Sequence, residues 1–395
     1  MFHFRHKESG VVYGVLIDIS SGTVGVAIVA SELGSTLPKL IYTHRITMRI
    51  TKHGAERSEN IRRVREALLS ASLIISQEGM QALSAYDSSA KISKLYVTCS
   101  SPWSYTLART VAYKNDTPFK VTNSLIGDLI QSAESEILEY LDKIPHVAEH
   151  SFNVVERATV DITINDYPVI NPLDKQGTTL GLTHIAGLVP EEILESIREV
   201  QQKLFPDTKL RTHTYMLVMY CVLRDIFSKL DSLCIVDLTG EATEFALVEH
   251  KQLIENIFIP EGSNSFIRDV MEHTGKPAED VQTLMTQDSL HFIHHDFDAH
   301  ITTYEQSVTG AIERMREHHI IPTSVVITVQ RPYEHFFVPI LERAFRTILG
   351  VDPEILSIKH ELIDEISHGA GDDVYLALGA RFFHKLHGCG EFDAS

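Results

Sequence analysis

The residues best placed to do chemistry come in two matched sets. Around Asp18 the chain reads Ile17-Asp18-Ile19-Ser20-Ser21-Gly22-Thr23-Val24-Gly25-Val26-Ala27-Ile28-Val29. Around Asp237 it reads Val236-Asp237-Leu238-Thr239-Gly240-Glu241-Ala242-Thr243-Glu244-Phe245-Ala246-Leu247-Val248. Each set is an apolar strand, an aspartate at its end, a short turn of small residues and a second apolar strand. Small turn residues let backbone N–H groups approach anionic oxygens, and each aspartate can orient a hydrated Mg²⁺. Paired turns of this kind can clamp phosphates. The same aspartates can also serve structure alone, as turn carboxylates that accept backbone hydrogen bonds. Two copies about half a chain apart point to a duplicated fold whose halves face each other.

Other candidates are weaker. His291, His294, His295, Asp296, Asp298 and His300 crowd one short stretch. Their spacing matches no closed zinc pattern, and the chain holds 21 histidines, so a solvated helix end or loop is expected there. Cys99 precedes Ser100-Ser101-Pro102-Trp103 with no histidine placed beside it by a readable motif; it reads as part of a structural turn. No GxSxG, HExxH or Walker loop is present.

The elements that must position the two turns follow from periodicity. Tyr13–Ile19 and Val24–Val29 read as a buried hairpin, and Ile46, Met48 and Ile50 as a half-exposed strand. A helix over Glu56–Ile75 and a strand over Leu95–Cys99 complete an α/β unit. Val111–Val121 reads as broken and polar. Thr122 is a candidate N-cap for a helix over Asn123–Leu141. Thr159–Ile164 and Gly177–Ile185 alternate around the turn Asn165-Asp166-Tyr167-Pro168, and the whole insert is expected to pack on one lobe. Pro190 opens a helix, and Thr212–Leu230 reads as one long buried helix. Strand Gln252–Pro260 follows, then a helix over Ser265–Gln282 broken at Gly275-Lys276-Pro277. Helix Tyr304–Glu317, strand Ser324–Val329, helix Glu334–Ile348 and a closing helix Asp372–His384 end the chain.

The composition narrows the classes of function. The 395 residues are 44% hydrophobic and 22% charged, as in ordinary globular proteins. A net charge of −18, from 35 basic and 53 acidic residues, argues against a general nucleic-acid binder and against unaided docking on anionic lipid. Cys99, Cys221, Cys234 and Cys389 show no CxxC spacing, which fits a reducing compartment. No signal peptide or membrane-length apolar run is read. The expected location is the cytoplasm.

The order of elements resembles the actin-like ATPase superfamily. The insert makes it similar to the FtsA-like cell-division proteins and their PilM relatives of type IV pilus assembly. The matching pieces are Asn165-Asp166-Tyr167-Pro168-Val169-Ile170-Asn171-Pro172 through Lys175, strand Thr178–Ile185, the Asp237 turn, and Ile259-Pro260-Glu261-Gly262 ahead of Phe266–Met271. The resemblance implies an α/β, two-lobed actin-like fold, a duplicated ribonuclease-H-like fold with a small α+β inserted subdomain. It implies ATP and Mg²⁺ in the cleft between the lobes. The phosphate-binding positions carried over are Asp18, Ser20, Ser21, Gly22, Thr23, Asp237, Thr239, Gly240, Glu241, Thr243 and Gly262. Asp18 and Asp237 would meet the metal through its water. The nucleoside side falls on Glu279, Gln282, Gln330 and Arg331, and no catalytic residue is assigned.

The departures from the family pattern gather in this pocket. Ser20 and Thr239 stand where the family has glycine, Glu241 replaces a small residue, and Gln282 replaces lysine. Glu261-Gly262 and Gln330-Arg331 replace paired glycines. Glycine lets backbone lie against a ligand, and a side chain fills that space. Glu241 beside a phosphate would add a repulsion of about 4 kcal/mol at about 4 Å and an effective dielectric near 20. The pocket is therefore expected to have weakened or lost its nucleotide, and the protein not to be an efficient ATPase.

The organisation expected is a first lobe over 1–98 and 189–231, an inserted subdomain over 99–188, and a second lobe with core parts 232–260 and 323–395 around a helical subdomain, 261–322. The function implied is an FtsA-type scaffold acting in cell division through a tubulin-like partner, with self-association. The alternatives are a PilM-like pilus assembly component, which meets a pilus or membrane partner, and an active actin-like ATPase. The tail Gly388–Ser395 is too short and acidic to lie in a bilayer, so no direct membrane insertion is expected and recruitment would come through a partner.

Overall fold

The computed structural model describes residues 10–51, 57–143, 151–286, 294–358 and 360–387. Strands β1 (Val11–Ile19), β2 (Thr23–Glu32) and β3 (Lys39–Thr47) form an antiparallel meander. Helix α1 (Arg57–Ile74) continues through a π-helical turn, Ile75–Gly79, into α2 (Met80–Tyr86). Strand β4 (Ile92–Cys99) returns parallel to β1. The insert follows as β5 (Tyr105–Lys120), α3 (Asn123–Leu141), β6 (Phe152–Ile164), β7 (Tyr167–Pro168) and β8 (Gln176–Pro190). Helix α4 (Glu191–Leu204), strand β9 (Lys209–Thr214) and helix α5 (Tyr215–Ile226) close the first half.

The second half repeats the plan. It runs β10 (Leu233–Leu238), β11 (Thr243–Glu249), β12 (Gln252–Ile259), α6 (Ser263–Thr274), α7 (Ala278–Thr286), α8 (His294–Arg316) and β13 (Ser324–Val329). It ends with α9 (Glu334–Leu349), β14 (Glu354–Ser357), α10 (His360–Ile366) and α11 (Val374–His387). The two main sheets have orders β3-β2-β1-β4-β9 and β12-β11-β10-β13-β14. Position for position these are the same topology, and the inserted sheet has order β5-β8-β6-β7.

Both main sheets are covered on both faces, which is why their central strands are unbroken apolar runs. The faces that look at each other share one core. Leu16 and Ala27 of the first sheet, and Ile235, Ala246 and Val326 of the second, pack with residues of α5 and α11. The outer face of the first sheet, through Val15, Ile17 and Val26, packs on α1 and α4. Val236, Phe245 and Leu247 pack on α6, α8 and α9 on the far side of the second sheet. Helix α11 thus reaches both lobes through the core it shares with α5.

Several elements differ from the sequence reading. The stretch Val111–Val121 belongs mostly to a long strand, β5, whose polar side chains are exposed while its backbone pairs with β8. Residues 209–214 form β9, pairing parallel with β4, so the helix expected from Thr212 begins at Tyr215. The half-exposed strand lies earlier than expected, at β3. Thr122 caps α3 as its sequence suggests, accepting from the Leu125 N–H at 3.2 Å. The insert touches both lobes rather than one. Tyr105 lies 4.7 Å from Phe258 of β12 between ring centroids, and Glu156 of β6 bonds Thr214 at the end of β9.

Phe383 of α11 is fully buried and meets Tyr96 edge-on at 5.0 Å. Phe383→Ala should lower unfolding free energy by about 3–5 kcal/mol in urea denaturation, the usual loss for a buried ring. An unchanged midpoint would mean that α11 does not share the core described.

Candidate functional site

The two aspartate turns meet at the seam between the lobes. Asp18 pairs with Gly25 across β1–β2 and lies beside Thr98 of β4. Asp237 pairs with Glu244 across β10–β11 and lies beside Thr328 of β13. Each aspartate accepts from its threonine, Thr98 Oγ1 to Asp18 Oδ1 at 3.1 Å and Thr328 Oγ1 to Asp237 Oδ1 at 2.8 Å. The turns close alike, with Ser20 N donating to Thr23 O and Thr239 N to Ala242 O, both at 2.9 Å. The duplication read from sequence is therefore present down to individual hydrogen bonds.

The space between the turns is occupied by the turns themselves. Ser21 Oγ donates to Thr239 Oγ1 at 2.9 Å and accepts from the Glu241 N–H at 2.8 Å. Thr239 also reaches the Ser101 carbonyl at 3.0 Å. Gly22 and Gly240 lie in backbone contact, and a Cβ on Gly240 would come within 3.0 Å of Gly22 and 2.6 Å of Asn264. Gly262 caps α6, and the next residue, Ser263, donates to the Thr239 carbonyl at 3.0 Å. Thr243 hydrogen-bonds the Glu261 carbonyl and the Tyr304 hydroxyl. Ser20, Ser21, Thr23, Thr239 and Thr243 are all buried. The Ser21 and Thr239 hydroxyls and the Glu241 N–H are spent across the seam, and the Ser20 and Thr239 N–H groups within their own turns.

The Asp18 charge is paired within the protein. Arg45 of β3 crosses the face of Gly25, where a Cβ would lie 2.5 Å from its guanidinium. It donates to Asp18 Oδ2 at 2.9 Å and Thr23 Oγ1 at 2.8 Å, and grips Asp373 with two bonds at 2.7 and 2.9 Å. Burial raises the Asp18 carboxyl and Arg45 opposes that rise. Burial works against the guanidinium too, but Asp373 and Asp18 hold it above its usual value. Asp237 is fully buried, its Oδ2 has no hydrogen-bond partner, and burial holds it well above the ordinary carboxylate range.

Glu241 does not face the seam as a free charge. Both its oxygens are gripped by Arg268 of α6, and Asn264 donates weakly at 3.4 Å. Arg63 of α1 is coupled to the same carboxylate from the opposite lobe. The repulsion expected from Glu241 is therefore neutralised by a residue that sequence reasoning did not single out. Arg45, Asp373 and Arg268 were all missed. None lies near either turn in sequence, so no local motif marks them.

The residues assigned to the nucleoside side lie on α7 and on the turn that follows β13. Glu279 is exposed at the start of α7, and Gln282 hydrogen-bonds Tyr333. Gln330 reaches Thr23 at 3.4 Å, and exposed Arg331 pairs with Asp372. A cavity of about 470 Å³ lies beside Arg45, and Gln330, Arg331 and Tyr375 line its other walls. Among the described residues no group of three or more His, Cys, Asp or Glu could hold a metal ion. Of the histidine cluster, His291 lies outside the described residues, and His294–His300 sit on α8. Cys99 and Cys234 are buried thiols, and burial raises both; Cys389 and the tail lie outside the described residues. No described helix is long and apolar enough to cross a membrane.

No family model and no curated protein matches the sequence. Among solved structures, the PilM–PilN type IV pilus biogenesis complex matches with a TM-score of 0.61 at 11% identity, over 94% of this chain and 98% of that one. The ethanolamine utilization protein EutJ from Carboxydothermus hydrogenoformans gives 0.45 at 12% identity, over 94% and 89%. A Bacteroides thetaiotaomicron protein with an actin-like ATPase fold gives 0.41 at 9% identity, over 96% and 98%. The fold is the two-lobed actin-like one. At these identities the likeness concerns architecture only.

Two predictions follow from the seam. Replacing Arg45 with Met leaves Asp18 buried without its counter-charge, a change that typically costs about 3–5 kcal/mol. Adding Asp18→Asn should recover most of that loss in urea denaturation, and equal losses in the single and double variants would refute the pairing. The second concerns Glu244, buried on β11 and pushed up to about 7 by burial, against hydrogen bonds from Asn256 and Ser101. The folded protein then keeps a proton that the unfolded chain has already released. Stability should fall as pH rises from about 4.5 to about 7 and level off above, by at most on the order of 3 kcal/mol. Glu244→Gln should flatten that slope.

Proposed function

We propose that this chain is an actin-like assembly protein that works by holding a protein partner, with a cleft that does not bind nucleotide. The observation that carries this is the direct bonding of the two turns through Ser21, Thr239 and the Glu241 N–H. A nucleotide's phosphates would have to break these bonds, part the lobes and displace Arg45 from two carboxylates. The core shared by both sheets, and the insert's contacts with both lobes, oppose such an opening. ATP and Mg²⁺ are accordingly not cofactors in this reading.

The PilM-like role is preferred to the FtsA-type role in division. It is supported by the near full-length likeness to the PilM of a pilus biogenesis complex, a protein found with a partner. Function would then lie in surfaces. The insert offers one at its hairpin tip, where Tyr167 and Ile170 are exposed beside the left-handed residues Asn165 and Asp166. Any membrane location would come through the partner.

Calorimetric titration with Mg·ATP and Mg·ADP tests the closed cleft. No saturable heat is expected at millimolar nucleotide, and no rise in melting temperature. Micromolar binding would overturn the proposal and favour an active ATPase of this fold.

A further inference from the structure

Strand β9 is the last strand of the first sheet. Its partner β4 puts Lys94 directly opposite Lys209 and Tyr96 opposite Arg211. Alternation places Lys94, Tyr96, Lys209, Arg211 and His213 on the face toward α11. His387, at the end of α11, accepts or donates a 2.9 Å bond with the Tyr96 hydroxyl and packs on Phe383. His213 stacks on Tyr96 at 5.4 Å and is held by Glu156 at 2.8 Å.

The charges on this face are one-sided. Lys209 and Arg211 are exposed and Lys94 is half-buried. Among the described residues none of the three is ion-paired; the ammonium of Lys385 nearby on α11 is already taken by Asp225. Like charges directly opposite on paired strands destabilise a sheet. Charged side chains on an edge can guard against unwanted pairing, and one lysine serves that purpose. A cross-strand Lys–Lys pair above a half-buried imidazole goes further, on a chain of net charge −18. Burial, then Lys94 and Lys209, push His387 down to about 4. Arg211 is the charge that acts on Tyr96. Glu156, the carboxylate nearest on the insert side, is committed to His213 and Thr214.

We propose that the outer edge of β9 is a docking site for an extended acidic segment of a protein partner, which adds as a strand and sets alternate carboxylates against Lys209 and Arg211, with Lys94 adding its charge from one strand further in. Two features select a peptide over a free anion. Among the described residues the edge from Lys209 to Thr212 has no strand beyond it, so its outward backbone groups can pair with an added strand. The two exposed cations stand two residues apart on that strand, which matches the spacing of alternate side chains on a neighbour. At the far end Glu156 takes the Thr214 N–H and hydroxyl, which ends the open stretch.

The test uses the full chain and a short synthetic peptide of alternating glutamate and threonine, with an alternating lysine and threonine peptide as control. Amide and imidazole NMR signals are followed during titration. The glutamate peptide should perturb the amides of Lys209–Thr212 and raise the pKa of His387 by about one unit or more, because added carboxylates favour its charged form. The lysine peptide should do neither. Lys209→Glu with Arg211→Glu should weaken binding at least about tenfold, as charge reversal at such contacts does. Lys209→Gln with Arg211→Gln, which removes charge without adding repulsion, should show an intermediate loss if the edge strand is folded. Absence of any shift at millimolar glutamate peptide would overturn the proposal. So would a shift that survives charge reversal, or one that inorganic phosphate or anionic vesicles produce equally well. The Mg·ATP titration bears on the cleft alone, so the two proposals fail separately.

Discussion

Burial of two carboxylates at one seam is the constraint on which the rest depends. Asp18 and Asp237 sit at the ends of the central strands of two sheets, and both are out of solvent. A buried carboxylate must be hydrogen-bonded, paired or protonated. Here the two solutions differ. Asp18 is paired, through Arg45, and the same guanidinium binds Asp373 in the turn before α11. Asp237 has one threonine bond, an unpartnered oxygen and a strongly raised pKa. Burial thus disfavours its charged form. One lobe answers its carboxylate with a cation supplied by the chain, and the other buries its carboxylate with a threonine bond.

A fold of this kind brings two anionic turns together, and their mutual repulsion must be answered by some positive charge or by proton uptake. Arg45 supplies the positive charge from β3, and its planar fork satisfies two carboxylates and a hydroxyl at once. Arg268 does the same for Glu241 on the other side of the turns. With the charges settled internally, the short hydrogen bonds from Ser21 to Thr239 and from Glu241 N to Ser21 can close the gap. The inserted sheet then braces the closed arrangement from outside, through Tyr105 against Phe258 and Glu156 against Thr214.

Much of this was legible in the sequence, but unevenly. The duplication could be read because it lies in contiguous residues whose pattern repeats around Asp18 and Asp237. Continuous apolar runs identified the central strands, and Thr122 marked the start of α3. The edges were harder. Residues 209–214 carry one aliphatic side chain among polar ones, because a sheet edge need not alternate cleanly, so β9 was read into the helix that follows it. Strand β5 was read as broken because its middle faces solvent on both sides, and its strand character comes from pairing with β8. The charge partners were illegible for a different reason. Arg45 lies 328 residues from Asp373, and nothing local distinguishes it from any surface arginine.

The substitutions in the turns also take on a different meaning once their partners are known. Read alone, Ser20, Thr239, Glu241, Gln330 and Arg331 are losses of glycine and of ligand space. In the folded protein, Thr239 and Glu241 join the lobes or anchor to α6, Gln330 reaches across to Thr23, and Arg331 meets Asp372. Side chains that look like obstructions in the sequence serve in the fold as contacts between elements. The seam has the Ser21, Thr239 and Thr243 hydroxyls bonded, its glycine backbones in contact and its guanidinium shared between carboxylates. A cleft built in this way ties the two lobes together at the turns as well as through the core that α5 and α11 share.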